Sequence, residues 1–262
     1  MLNLSELTDK VRALAIEAGD FIREERKKIH REAIEKKHAH DYVSYVDKES
    51  EKKIVTRLKE LLPEAGFIAE EGSGTLNDEQ YCWLVDPLDG TTNFIHDNAP
   101  YCVSIALRSK KELLLGVVYE ICRNECFWTY KGAPSYLNGN EIHVSAISNL
   151  DDSFIALGFP YATEEYKPMA NHLVNTLYGN VAGLRLMGAA AVELCYIAAG
   201  RFEARIEAFI GPWDIAAGTI ILQNAGGMIT DFKGGDSYSS GSQVLASNGR
   251  IHRDLLNIID NL

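Results

Sequence analysis

Two carboxylates three positions apart, Asp86 and Asp89, sit in the run Trp83-Leu84-Val85-Asp86-Pro87-Leu88-Asp89-Gly90-Thr91-Thr92-Asn93-Phe94. Three apolar residues lead into the acids. Pro87 fixes the backbone between them, and Gly90 lets the chain turn sharply after them. Thr91 and Thr92 then offer hydroxyls and exposed amides where a helical turn can start. An apolar strand, a rigid acidic turn and an amide-rich helix start together suit a hard cation beside a phosphate. Asp, Pro and Gly also make ordinary turns, each for its own reason. Other acids in similar settings weigh against that simpler account. Glu70 and Glu71 close the apolar run Gly66-Phe67-Ile68-Ala69 and precede Gly72-Ser73-Gly74. Asp214 follows Trp213 and opens the apolar run Ile215 to Leu222, and Asp47 stands at the start of another helical segment.

A set of Asp and Glu with no His or Cys favours Mg²⁺ or Mn²⁺ over zinc. Four carboxylates close together repel one another if empty, so a cation is the natural way to keep them ionised. Leu88 lies between two of the acids. Its carbonyl is a candidate further ligand, and its side chain is expected in the core. Taken locally, Asp214 and Asp47 read equally well as helix caps, Glu70 and Glu71 as a solvated strand end, and Trp213 as a packing residue.

The elements that must position these groups follow from hydrophobic period. Residues 4–30 predict an amphipathic helix with Leu4, Leu7, Val11, Leu14, Ala15, Ala18, Phe21 and Ile22 on one face, and Asn3 with Glu6 as a capping pair. A second helix is expected from Asp47 to Leu62, stopped by Pro63. Short strands are expected at 66–70 and 81–86. Strands at 102–108, 113–121 and 125–130 follow, with an Asn138-Gly139 hairpin between Ser135-Tyr136-Leu137 and Glu141 to Val144. This middle predicts an antiparallel sheet with helices on a face. The second half alternates: strand 153–159, helix 163–178, helix 188–199, strand 202–206, helix 214–224, strands 227–231 and 243–247, and a closing helix 250–261. Such alternation predicts an α/β half packed on the antiparallel half.

Composition narrows the partners. The chain of 262 residues is 46% hydrophobic and 24% charged, with a formal charge of −11; it fits one large domain or two tightly joined halves. No Lys/Arg stripe marks a nucleic-acid partner. The cluster Arg23 to Arg31 reads as a complement to a helix dipole. No segment is long and apolar enough to span a bilayer, and the amphipathic N-terminus is not a signal peptide. Five cysteines (82, 102, 122, 126 and 195) form no Cys-x-x-Cys pair, which predicts reduced thiols in the cytoplasm. His38-x-His40 is expected to be solvated.

Asp86-Pro-Leu-Asp-Gly-Thr-Thr-Asn-Phe, and Trp213-Asp-Ile-Ala-Ala-Gly ending in Ala225-Gly226-Gly227, resemble the two signature motifs of the inositol monophosphatase family. Glu70-Glu71 lies where that family has its own Glu-Glu pair, and the resemblance runs over nearly the whole chain. It implies an α+β fold, the layered αβαβα sandwich of the inositol monophosphatase and fructose-1,6-bisphosphatase type. It also implies a single phosphatase domain over residues 1–262, with halves of about 1–145 and 150–262. By resemblance, Glu70, Asp86, the Leu88 carbonyl, Asp89 and Asp214 match metal-binding positions for about two or three Mg²⁺ ions, or Mn²⁺. Glu70 and Thr91 match groups that hold and activate the attacking water, and Asp47 matches the acid that bonds the threonine hydroxyl. Asp89, Gly90, Thr91, Thr92, Gly188, Ala189, Ala190, Glu207 and Asp214 match substrate contacts. The activity so implied is hydrolysis of inositol monophosphate or a similar polyol phosphate by direct attack of water, in a lithium-sensitive homodimer. The alternatives are a 3′-phosphatase of the adenosine bisphosphate type, fructose-1,6-bisphosphatase, histidinol phosphatase, or a non-catalytic regulatory protein on the same scaffold. Two residues depart from the family pattern. Ala189 replaces a frequent hydroxyl residue, and Asn224 stands where Glu is usual before Ala-Gly-Gly.

Overall fold

Alternation along the strands decides which layer each one faces. The computed structural model describes residues 2–28, 34–38, 41–74, 80–110, 112–159, 163–240 and 243–260. Helix α1 (Leu4–Arg26) begins where the Asn3 side chain accepts the Glu6 amide. It ends four residues short of the expected position 30, and Lys27 and Lys28 pair with Glu24 and Glu25 just beyond it. Arg31 and His40 lie outside the described residues, as does the His38 side chain. An antiparallel ribbon that the sequence pattern did not signal, β1 (Ile34–His38) and β2 (Asp41–Ser44), leads into α2 (Tyr45–Leu61).

The first half then runs β3 (Ala65–Ala69), β4 (Tyr81–Asp89), the short α3 (Thr91–Ile95), β5 (Cys102–Ser109), β6 (Leu113–Glu120), β7 (Glu125–Tyr130), β8 (Ser135–Leu137) and β9 (Asn140–Ile142). These strands form one seven-stranded sheet in chain order, antiparallel except where β3 lies parallel to β4. Asn138 and Gly139 both take positive φ in the β8–β9 hairpin, as its two-residue turn requires.

The second half runs β10 (Phe154–Gly158), α4 (Thr163–Leu177), β11 (Gly183–Arg185), α5 (Ala190–Ala198), β12 (Ala204–Ala208), α6 (Pro212–Asn224), β13 (Met228–Thr230), β14 (Gln243–Ser247) and α7 (His252–Ile259). Its five strands lie in the order β11-β10-β12-β14-β13, with β10 parallel to both its neighbours and β14 antiparallel to both of its own.

Three cores bind five layers. Odd-numbered strand residues such as Val85, Val103, Ile105, Val117 and Tyr119 pack on α1 and α2. Even-numbered ones such as Leu84, Ala106 and Val118 pack on α5 and α6. The other face of those helices meets Ala156, Val244 and Ala246 of the five-stranded sheet. The far face of that sheet, with Ile155, Ile206 and Leu245, is closed by α4 and α7. The result is the expected αβαβα sandwich.

One local correction matters most. The acidic segment is a strand with a bulge rather than a turn after residue 86. Asp86 pairs with Ser104 and Asp89 with Cys102, so three steps on β4 match two on β5. The extra residue reverses the alternation. Without it, Asp89 would share the α1/α2 face with Trp83 and Val85. With it, Asp89 joins Asp86 and Cys102 facing α5 and α6, while Leu88 is fully buried on the other side. Pro87, which has no N–H to donate, is tolerated at such a bulge.

Candidate active site

The end of β4, the starts of α3, α5 and α6, and the end of β12 meet around a pocket of about 590 Å³. Glu70, Asp86, Leu88, Asp89, Gly90, Thr91, Thr92, Gly188, Ala189, Ala190, Glu207 and Asp214 all line it. Of the residues expected to bind metal, substrate or the attacking water, Asp47 alone stands behind this wall, buried beneath Thr91.

Four of the acids, Asp47, Asp86, Asp89 and Asp214, are aimed by main-chain groups. Asp86 Oδ1 accepts the Leu88 amide at 2.9 Å, across the bulge. Asp89 accepts the amides of Ala190 and Ala191 at 3.1 and 2.8 Å, so the first turn of α5 holds it where the helix dipole favours an anion. Asp214 is the third residue of α6, not its cap; Oδ2 accepts the Gly211 amide at 2.8 Å, and Pro212 fills the first helical position. Asp47 likewise sits in the first turn of α2 and completes a capping box with Ser44. Its Oδ2 accepts the Ser44 amide and hydroxyl at 2.8 and 2.7 Å. The Thr91 hydroxyl is 2.9 Å from Asp47 Oδ1 and 3.0 Å from the Leu88 carbonyl. It has one proton, which serves one of them at a time and leaves its lone pairs to accept.

Gly90 precedes α3 with φ +88, and a Cβ there would come within 2.9 Å of the Pro100 carbonyl. Glycine is therefore required for both conformation and space. At Gly158 the reason is room alone: an added Cβ would fall 2.2 Å from the Glu207 carboxyl carbon.

The charges crowd one another. Burial first, then the charges of Glu70, Asp89 and Asp214, push the Asp86 carboxyl well above the usual range. Asp89 rises to about 7 through burial and the Asp214 charge, against the pull of the Ala191 amide and Arg205. Asp214 also rises to about 7, through burial and Glu70. Asp86 and Asp214 are close enough for one to hydrogen-bond the other. Burial raises Asp47 as well, opposed by its bonds from Ser44 and Thr91.

The donor set of Glu70, Asp86, Asp89, Asp214 and the Leu88 carbonyl is all oxygen, which fits a hard divalent cation. Among the described residues no three of the acids converge on one point as a finished cage. They share a pocket and feel one another's charge, while Asp86, Asp89 and Asp214 keep oxygens on main-chain amides. This spacing suits a cation that retains several waters.

A model of the inositol monophosphatase family matches residues 3–261. The chain belongs to the inositol monophosphatase family. Among its relatives in that family, the Nus factor SuhB of Pasteurella multocida is 39% identical over 225 residues, covering 85% of this chain and 84% of that protein. The crystal structure of the suhB protein from Bartonella henselae superposes with a TM-score of 0.91 at 32% identity, covering 96% of this chain and 97% of that one. The inositol monophosphatase of Anabaena (Nostoc) has a TM-score of 0.89 at 30% identity, over 100% and 98% of the two chains. Membership puts the chain in the superfamily of metal-dependent phosphatases that also holds the fructose-1,6-bisphosphatases.

Some residues that build this family member's site were not legible in its sequence. Glu51 of α2, 1% exposed, accepts the amides of Glu71 and Ser73 at 2.7 and 2.9 Å and so holds the turn that follows Glu70. Asn93 donates to the carbonyls of Pro100 and Met187 at 2.8 and 2.7 Å, joining the two halves. Arg205 and Glu193 form a buried ion pair beside Glu207. A hint existed for Arg205: strand alternation puts it on the same face as Glu207. Asn224, the departure near the second motif, bonds Thr129, Tyr130 and Ala133 at the edge of β7 and does not line the pocket.

Proposed function

We propose that the chain is a Mg²⁺-dependent phosphomonoesterase that hydrolyses inositol monophosphate or a similar polyol phosphate by direct attack of water. The observation that carries this is the joint placement of Glu70, Asp86, Asp89, Asp214 and the Leu88 carbonyl in one pocket, with the Thr91–Asp47 hydrogen bond at its edge. Those five oxygen donors would hold Mg²⁺. When bound, the metal ions neutralise phosphate charge, lower the pKa of a water and stabilise the departing alkoxide.

The remaining steps belong to the protein. Thr91, donating to Asp47, accepts a hydrogen bond from the nucleophilic water and fixes its direction, while Glu70 takes up its proton. The first-turn amides of Thr91 and Thr92 have no acceptor within the helix and are free to donate to phosphate oxygens. Small residues at Gly188, Ala189 and Ala190 let the backbone come close to the alcohol part of the ester. No covalent phosphoenzyme is needed.

On this reading residues 1–262 are a single phosphatase domain working as a lithium-sensitive cytoplasmic homodimer. Among the described residues, no helix is long and apolar enough to cross a membrane. Phosphate release from a panel of phosphomonoesters, measured with and without Mg²⁺, tests the activity. Mg²⁺-dependent release with a preference for polyol esters is expected; no release from any ester would overturn it.

A further inference from the structure

Six large apolar side chains are exposed among the described residues, and two of them, Phe209 at 66% and Leu186 at 65%, line the catalytic pocket. Phe209 opens the link between β12 and α6. Its φ is +61, in the left-handed region. A bulky side chain makes that conformation costly, whereas glycine takes it freely. The neighbours Ala208 and Ile210 are buried, which pins the backbone on both sides. Folding gains little from the ring: the residue is mostly exposed, and among the described residues its one ring–ring contact is a tilted one with Tyr166, at 6.1 Å between centroids. Neither backbone nor core accounts for an aromatic residue here. Backbone strain that the fold does not need clusters at sites of function, and this instance stands in the wall of the catalytic pocket.

The rest of the lining decides which part of an ester meets the ring. The acids and the start of α3 take the phosphate. Leu157, Phe159, Leu186, Met187 and Ile210 line the same pocket as Phe209, and this apolar portion is left for the alcohol. Leu186 and Met187 run directly into Gly188, Ala189 and Ala190, whose backbone faces the alcohol part. A phenyl ring has no hydrogen-bonding group, and Glu207, two residues earlier, is already paired with Arg205. Phe209 therefore suits a flat apolar surface and not a hydroxyl or a further charge. We propose that Phe209 is a specificity-determining residue whose ring stacks on an aromatic ring carried by the leaving alcohol. This role rests on the phosphomonoesterase function above and adds phosphate esters of ring-bearing aromatic alcohols to its substrates.

The test compares kcat/KM in Mg²⁺ for 2-phenylethyl phosphate and ethyl phosphate, whose alcohols leave with similar ease and differ in the ring. Inositol 1-phosphate serves as the activity reference. Wild type should favour the phenyl ester. In Phe209→Gly the ratio of the two esters should fall about 5- to 20-fold, the scale of one aromatic contact, and Phe209→Tyr should keep it. The loss should fall on KM more than on kcat, because a contact remote from phosphorus is made equally in the ground and transition states. A ratio cancels any difference in folded enzyme, and glycine suits the left-handed backbone. An unchanged ratio in Phe209→Gly overturns the proposal, as does a wild type active on inositol 1-phosphate without preference for the phenyl ester. An unchanged ratio joined by dissociation of the variant's subunits in light scattering also overturns it, by placing the ring between two copies of the chain. Wild type inert toward all three esters would instead remove the phosphatase function, and the role of Phe209 with it.

Discussion

Within one pocket, Glu193 and Glu207 reach a guanidinium, whereas Asp86, Asp89 and Asp214 reach main-chain amides and one another. Both groups are buried acids at the meeting of the two halves. The first carries its own cation. The second is held together against its own repulsion, with two of its members raised to about 7. The difference separates structure from chemistry. Glu193 and Glu207 acquire an arginine from the same chain, while among the described residues no arginine or lysine forms an ion pair with Asp86, Asp89 or Asp214. Asp231, outside the pocket, is held by amides instead: bonds from Gly235, Lys233 and Ser237 keep its carboxyl low against the effect of burial.

The contrast can be broken most forcefully at Asp89. Asp89→Asn should lower Mg²⁺-dependent phosphate release by roughly 1,000-fold, the scale of several kcal/mol of lost metal stabilisation, with far-UV circular dichroism unchanged. Near-normal turnover would count heavily against the acid pocket as the site. Next comes stability. Arg205→Met leaves Glu193 and Glu207 buried without a counter-charge and should cost about 3–5 kcal/mol in urea unfolding. Asp86→Asn removes repulsion and should instead stabilise the metal-free protein by about 1 kcal/mol. Opposite signs are the expectation; the same sign in both variants would erase the distinction between the two groups.

The smallest effect is pH-dependent. Asp89 and Asp214 have folded pKa values near 7, above the ordinary aspartate value of 3.8, so the folded state holds more protons than the unfolded state between those limits. Their contribution to stability is full below about pH 4 and is lost as pH rises through about 7. His252, lowered by burial to about 4 from the ordinary histidine value of 6.5, acts oppositely between those two values. Added Mg²⁺ binds the ionised acids and should restore what they lose. The Mg²⁺-induced rise in Tm should therefore grow from pH 5.5 to pH 8 in scanning calorimetry. A rise independent of pH would mean that Mg²⁺ binds elsewhere.

The sequence by itself determined the order of elements and most of their bounds to within a residue or two, because apolar period, Asn138-Gly139 and the helix-start acids are local signals. It also determined which acids were available, and that their oxygens favour a hard cation. It misjudged residues 86–89, since Pro87 between the acids and Gly90 after them read as a turn, and the pairing of β4 with β5 that makes a bulge depends on a partner strand. The ribbon β1–β2 was missed because its polar residues, such as Glu35, Lys36 and Lys37, carry no apolar alternation. Only the tertiary structure decided that Asp89 shares a face with Asp86, that the first turn of α5 holds it, and that Arg205 lies between Glu193 and Glu207. These are facts about elements far apart in the chain, and pairing across such distances is fixed by packing of layers and not by any local preference of the residues involved.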